Sequence, residues 1–144
     1  MAANTIPIYS LAGQINWDTT LLKTANTAKD GTGTVATLFT AGANGGRVER
    51  IRARAVGTNV ATVLRIFINN GLDPTTAANN TFYAEATLAA TTLSEVATLT
   101  LNELPNTVDT TAFPIILPAG YKITATIGTT VAAGYYLNAI GSTY

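Results

Sequence analysis

From Gly33 onwards, apolar and polar side chains alternate in short runs that end at Gly, Asn or Pro. That two-residue period belongs to strands with one buried face. The runs predicted as strands are residues 34–40, 48–56, 60–68, 81–87, 95–101, 113–117, 121–127 and 135–140. Residues 48–56 place Val48, Arg50, Arg52, Arg54 and Val56 on one face, with Ile51, Ala53 and Ala55 on the other. Residues 60–68 set Val60, Thr62, Leu64, Ile66 and Ile68 against Ala61, Val63, Arg65 and Phe67. Tyr135 and Tyr136 must point to opposite faces of one strand, so at most one is exposed. No stretch of useful length carries the 3.6-residue spacing of a helix.

The turns follow from composition. Gly57-Thr58 suits a type II′ hairpin, with Gly at its first central position. Residues 69–80 (NNGLDPTTAANN) form a turn-rich cluster in which Pro74 forbids regular pairing. Leu117-Pro118-Ala119-Gly120 reads as a tight turn before the strand at 121–127. About eight short strands with such punctuation predict an all-β fold, an antiparallel β-sandwich that is jelly-roll-like.

Residues 1–32 break the pattern. Ile6, Ile8, Tyr9, Leu11, Ile15, Trp17, Leu21 and Leu22 are apolar anchors scattered among Thr, Asn and Ala. Two readings stay open: an extended N-terminal arm that packs on a neighbour, or a first strand and irregular lead-in of the same domain. The chain therefore divides into a segment 1–32 and a β-sandwich domain 33–144.

Composition narrows the function. Eight Lys and Arg balance eight Asp and Glu, and charged residues are only 11% of the 144, against a usual share of about 25%. There is no Cys and no His, which excludes disulfides, thiolate metal sites and triads built on His. Balanced charge argues against nucleic-acid binding. No apolar run approaches the ~20 residues of a membrane span, and a cationic signal-peptide start is not evident. Asp18, Asp30, Glu49, Asp73, Glu85, Glu95, Glu103 and Asp109 are scattered singly, a poor basis for paired-carboxylate catalysis. Asp73 in its turn-rich loop is a candidate Ca²⁺ ligand, although EF-hand spacing is absent. Asp30-Gly31-Thr32-Gly33 lacks the helix and lysine of a phosphate loop and reads as a turn. The expectation is a protein that is not an enzyme and needs no metal or cofactor.

The arginine stripe is the sharpest local feature. Counting outward from a Gly57-Thr58 hairpin puts Arg50 directly opposite Arg65. Facing like charges are destabilising, so a carboxylate should sit beside them. It could come from Glu49, Glu85, Glu95 or Glu103 of the same chain, or from a neighbouring subunit. With few charges to guard strand edges, the chain also invites subunit contacts.

Four stretches resemble small virion proteins of tailed bacteriophages. They are residues 24–41 (TANTAKDGTGTVATLFTA), 45–55 (GGRVERIRARA), 57–71 (GTNVATVLRIFINNG) and 117–121 (LPAGY), about a third of the chain. All are strand-and-turn sequences, and none is a catalytic signature. The resemblance implies a capsid decoration (cement) protein: a homotrimer on the phage head surface, clamping neighbouring copies of the major capsid protein. The virion would then be its location, after synthesis in the host cytoplasm. A tail fibre or baseplate module recognising a host-surface glycan is the alternative. Ile6, Ile8, Tyr9, Leu11 and Trp17 are the expected arm contacts. Arg50, Arg52, Arg54 and Arg65 are the expected inter-subunit ionic cluster.

Overall fold

The computed structural model describes residues 12–17, 21–105 and 113–144. Nine strands run β1 (Ala12–Trp17), β2 (Ala36–Thr40), β3 (Gly46–Ala55), β4 (Thr62–Asn69), β5 (Asn80–Leu88), β6 (Leu101–Leu104), β7 (Ile115–Leu117), β8 (Lys122–Ile127) and β9 (Tyr135–Thr143). One 3₁₀ turn, Ala77–Asn79, precedes β5. The strands form two antiparallel sheets, ordered β1-β9-β3-β6 with β7 also on β3, and β2-β8-β4-β5.

This is an all-β sandwich with jelly-roll order. The chain folds back on itself about the Asn69–Asn80 turn, so each strand pairs with its mirror image: β4 with β5, β3 with β6 and β7, β2 with β8, β1 with β9. Rolling that ribbon adds the β3–β9 and β4–β8 ladders. The turn itself is tied by side-chain amides. Asn69 Nδ2 donates to Asn80 Oδ1 at 2.9 Å, and Asn80 Nδ2 donates to the Pro74 carbonyl at 2.8 Å. Asp73 Oδ1 accepts the Thr75 N–H at 2.9 Å. The residues expected to offer a calcium site are thus engaged with one another.

The core lies between the sheets. Val48, Ile51 and Ala53 of β3, Leu64 and Ile66 of β4, Ile123 and Ile127 of β8, and Tyr135 and Leu137 of β9 are buried in it. Fully burying a Leu or Ile side chain stabilises by about 1.5–3 kcal/mol, so these alternating positions carry most of the fold.

Three features depart from the sequence expectation. First, Gly57-Thr58 makes no hairpin: β3 and β4 lie in opposite sheets, and Arg50 faces Ile140 while Arg65 faces Glu85. A local hairpin would place both strands side by side in one layer, whereas here their apolar faces bury against each other across the core. Asn59 fixes the crossover. Its Oδ1 accepts the N–H groups of Ala133 and Gly134 at 2.8 and 2.9 Å, and its backbone pairs with Thr91.

Second, Val48 does not share the arginine face. A β-bulge between Val48 and Arg50 adds Glu49 to β3 and resets the alternation, so Val48 turns inward. Gly141 opposite makes the bulge possible, because a Cβ there would overlap the Arg47 carbonyl oxygen.

Third, residues 95–100 are not a strand. Ser94 Oγ accepts the N–H groups of Val96 and Ala97 at 3.2 and 3.1 Å, a local alternative to a ladder. Pairing with β3 begins only at Leu101.

Within the segment 1–32, residues 12–17 extend the first sheet beside β9. Leu22 is buried and exchanges two backbone hydrogen bonds with Tyr135 at 3.1 Å. Residues 24–34 then cross the outside of the second sheet. The Asn26 N–H bonds the Ile127 carbonyl at 2.7 Å, and Gly31 packs on Asn80 and Phe67. Phe67, Asn69, Thr124 and Thr126 are consequently buried on that outward face.

Replacing Gly141 by Ala forces backbone apart at the bulge and should lower unfolding free energy by about 1–3 kcal/mol. Asn59→Ala strips two backbone donors of their acceptor and should cost about 2–4 kcal/mol. Urea denaturation of each variant against the parent chain measures both.

Candidate interaction face

Residues 24–34 cover the outward side of β4 and β8 in the second sheet, while the outer face of the β1-β9-β3-β6/β7 sheet carries exposed side chains from all five strands. Its middle strand carries Arg47, Arg50, Arg52 and Arg54 in a column, spaced by the pleat and offset once by the bulge. Cross-strand neighbours follow from register. Arg50 lies beside Ile140, and Ile140 beside Ile15. Arg52 lies between Asn138 and Glu103, and Arg54 between Tyr136 and Leu101. Arg47 lies between Ser142 and Ile116.

The face mixes cations with exposed apolar groups. Ile15 is 59% exposed, Tyr136 49%, Leu101 44% and Ile116 63%. Isolated apolar side chains on a surface are ordinary, but a gathered set interleaved with Arg and Tyr has the composition of a contact surface.

The ionic contacts lie within the chain. Glu103 bridges two arginines: Oε1 accepts from Arg50 Nη1 at 2.9 Å and Oε2 from Arg52 Nε at 3.2 Å. Arg47 Nε sits 2.7 Å from Glu49 Oε1. Arg54 makes no ion pair with any described residue. These groups are a third to a half exposed, so each pair contributes about 0–1 kcal/mol to folding. Their value is in patterning: four arginines against two carboxylates leave the face net positive.

Arg50, Arg52 and Arg54 thus come together. Arg65 does not join them; it lies on the opposite sheet, its Nε 3.7 Å from Glu85 Oε2. The Trp17 backbone pairs with Asn138 at the margin of the same face. Ile6, Ile8, Tyr9 and Leu11 lie outside the described residues. Sequence reasoning omitted Tyr136, Ile140, Leu101 and Ile116 from the site. The alternation of Tyr135 with Tyr136 signalled the first of these, since Tyr135 is fully buried.

Among the described residues no three His, Cys, Asp or Glu side chains converge. A groove of about 240 Å³ runs between residues 21–24 and 34–36, and its described lining contains no carboxylate. No helix among the described residues is long and apolar enough to cross a membrane. No protein-family model, curated protein or solved structure matches the chain.

Titration affects mainly the extremes of pH. The Thr32 hydroxyl and then the Thr32 N–H hold Asp30 below the usual carboxylate range, and the Thr75 N–H and then its hydroxyl do the same for Asp73. A lowered carboxyl stabilises the fold above about pH 4 and stops doing so as pH falls through its folded value. Burial raises the Tyr135 phenol, so that group favours the fold below about pH 10 and opposes it as pH rises further. Stability should therefore be level from about pH 5 to 9, falling on both sides. Thermal unfolding across pH 2–11 tests this; a step near pH 6–7 would contradict it.

Proposed function

We propose that the chain is a non-enzymatic structural protein of a tailed-phage virion, a homotrimer that decorates the head and clamps neighbouring major capsid subunits. The open Arg-and-apolar face of the β1-β9-β3-β6/β7 sheet carries this reading. Part of the other sheet's outer face lies under residues 24–34, whereas this face keeps Arg50 and Arg54 exposed beside Ile15, Tyr136, Leu101 and Ile116. The resemblance of residues 24–41, 45–55, 57–71 and 117–121 supports the phage context.

The physics suits that task. A flat sheet face with a central Arg and Tyr cluster supplies the residue types that dominate binding energy. Removing water on contact strengthens the Arg–carboxylate pairs, which are weak while solvated. Several modest contacts, made at once by a multimer on a lattice, sum to strong attachment through effective concentration. Ile6, Ile8, Tyr9 and Leu11 would add a second grip ahead of β1.

Binding to heads lacking the protein is the test, using heads of the phage that encodes the chain. Arg54→Glu combined with Tyr136→Ala should weaken attachment by about thirtyfold or more, the scale of a lost hot spot, with unfolding unchanged within about 0.5 kcal/mol. Deleting residues 1–11, which leaves β1 in place, should also reduce head stabilisation. Unaltered binding by both variants would overturn the reading, as would specific glycan binding without affinity for heads.

A further inference from the structure

We propose that the Arg-and-apolar face takes an acidic protein surface, one partner carboxylate lying against Arg54 between Tyr136 and Leu101. The inference rests on the reading above for which face makes contact, and adds the chemistry of what that face meets.

Charge is spread unevenly over the described residues. The face holds Arg47, Arg50, Arg52 and Arg54 with Glu49 and Glu103. The other described charges, four cations and four anions, cancel. The described surplus is thus gathered on one sheet face, where it attracts and orients a partner of opposite sign. A second copy offers no match for it. Glu85 already sits by Arg65, Asp30 adjoins Lys29 in sequence, and Asp73 and Glu95 lie on separate loops.

Within the column, carboxylate binding follows the strand register. Glu103 on β6 lies opposite Arg52, and its two oxygens reach Arg52 and Arg50 at 3.2 and 2.9 Å. Arg47 is met by Glu49 at 2.7 Å. Two residues before Glu103, β6 supplies Leu101 opposite Arg54. No described carboxylate pairs with Arg54, so a partner supplies the next one. Arg54 and Tyr136 are both exposed, and a guanidinium can hold a carboxylate through two parallel N–H donors.

The apolar neighbours make that partner a protein. Ile15, Leu101 and Ile116 are exposed on the same face, and covering them favours association only with another apolar surface. A phosphate backbone supplies none, and four arginines set against two glutamates are a small surplus for nucleic acid.

Octaglutamate, octalysine and a short DNA duplex, each titrated into the isotope-labelled full chain and followed by NMR, test the assignment. Octaglutamate should shift amide signals of β3, β6 and β9 around Arg54, and octalysine should not. Raising salt from about 20 to about 200 mM should weaken octaglutamate binding at least about fivefold. Arg54→Glu should weaken it by a similar factor, while Arg54→Lys retains most of it. Lys29→Glu, on the loop across the other sheet, should change it less than about twofold. No response to octaglutamate, signals centred away from these strands, or equal losses in Arg54→Glu and Lys29→Glu would overturn the assignment. Tighter binding of the duplex than of octaglutamate would also overturn it, in favour of nucleic acid. Heads bound without any response to octaglutamate would end this assignment and leave decoration standing; octaglutamate held at Arg54 without affinity for heads would do the opposite.

Discussion

Burial of one face of every strand against the opposite sheet governs this molecule. With few charges and no covalent braces, little else is large enough to offset the entropy of ordering the chain. That requirement places β3 and β4 in different layers, sends Val48 inward across a bulge, and keeps Ile123, Ile127, Tyr135 and Leu137 in a single core. Hydrogen bonding then decides which strands lie side by side. The Asn69–Asn80 turn acts as the fold point of a long antiparallel ribbon, its amides satisfied among themselves.

The two sheets meet solvent differently, and that asymmetry favours one face as the contact surface proposed above. Residues 24–34 cover the middle of one outer face, burying Phe67 and two threonines of β8. The other face keeps its arginine column open, flanked by Ile15, Ile140 and Tyr136. Ion pairs on it add little to folding because water already solvates them. Their contribution grows only when another protein excludes that water, which suits a fastening surface better than a catalytic one.

Edges impose the remaining constraint. β6 and β7 share one position at the sheet margin and are separated by Pro105 and Pro114, residues that discourage further pairing. β5 carries Glu85 and a bulge against β4. β9, by contrast, is long and uncharged, and relies on β1 for cover.

Much of this was written locally. Alternation alone located β2, β3, β4, β5, β8 and β9 to within a few residues, because a half-buried strand needs period two whatever its partners are. Composition excluded His and Cys chemistry outright, and the adjacency of Tyr135 and Tyr136 allowed at most one of them to be exposed; the packing buried Tyr135. Partnership was different. Gly57-Thr58 has hairpin chemistry, yet Asn59 and the shared core send its flanking strands to opposite layers. Arg50 and Arg65 were therefore separated, and Glu103, more than a third of the chain away, became the carboxylate beside Arg50 and Arg52. Residues 12–17 carry no clean two-residue alternation, and their pairing with β9 identifies them as a strand. Local pattern sets which face of a segment avoids water, whereas only the global packing of those faces decides which segments meet.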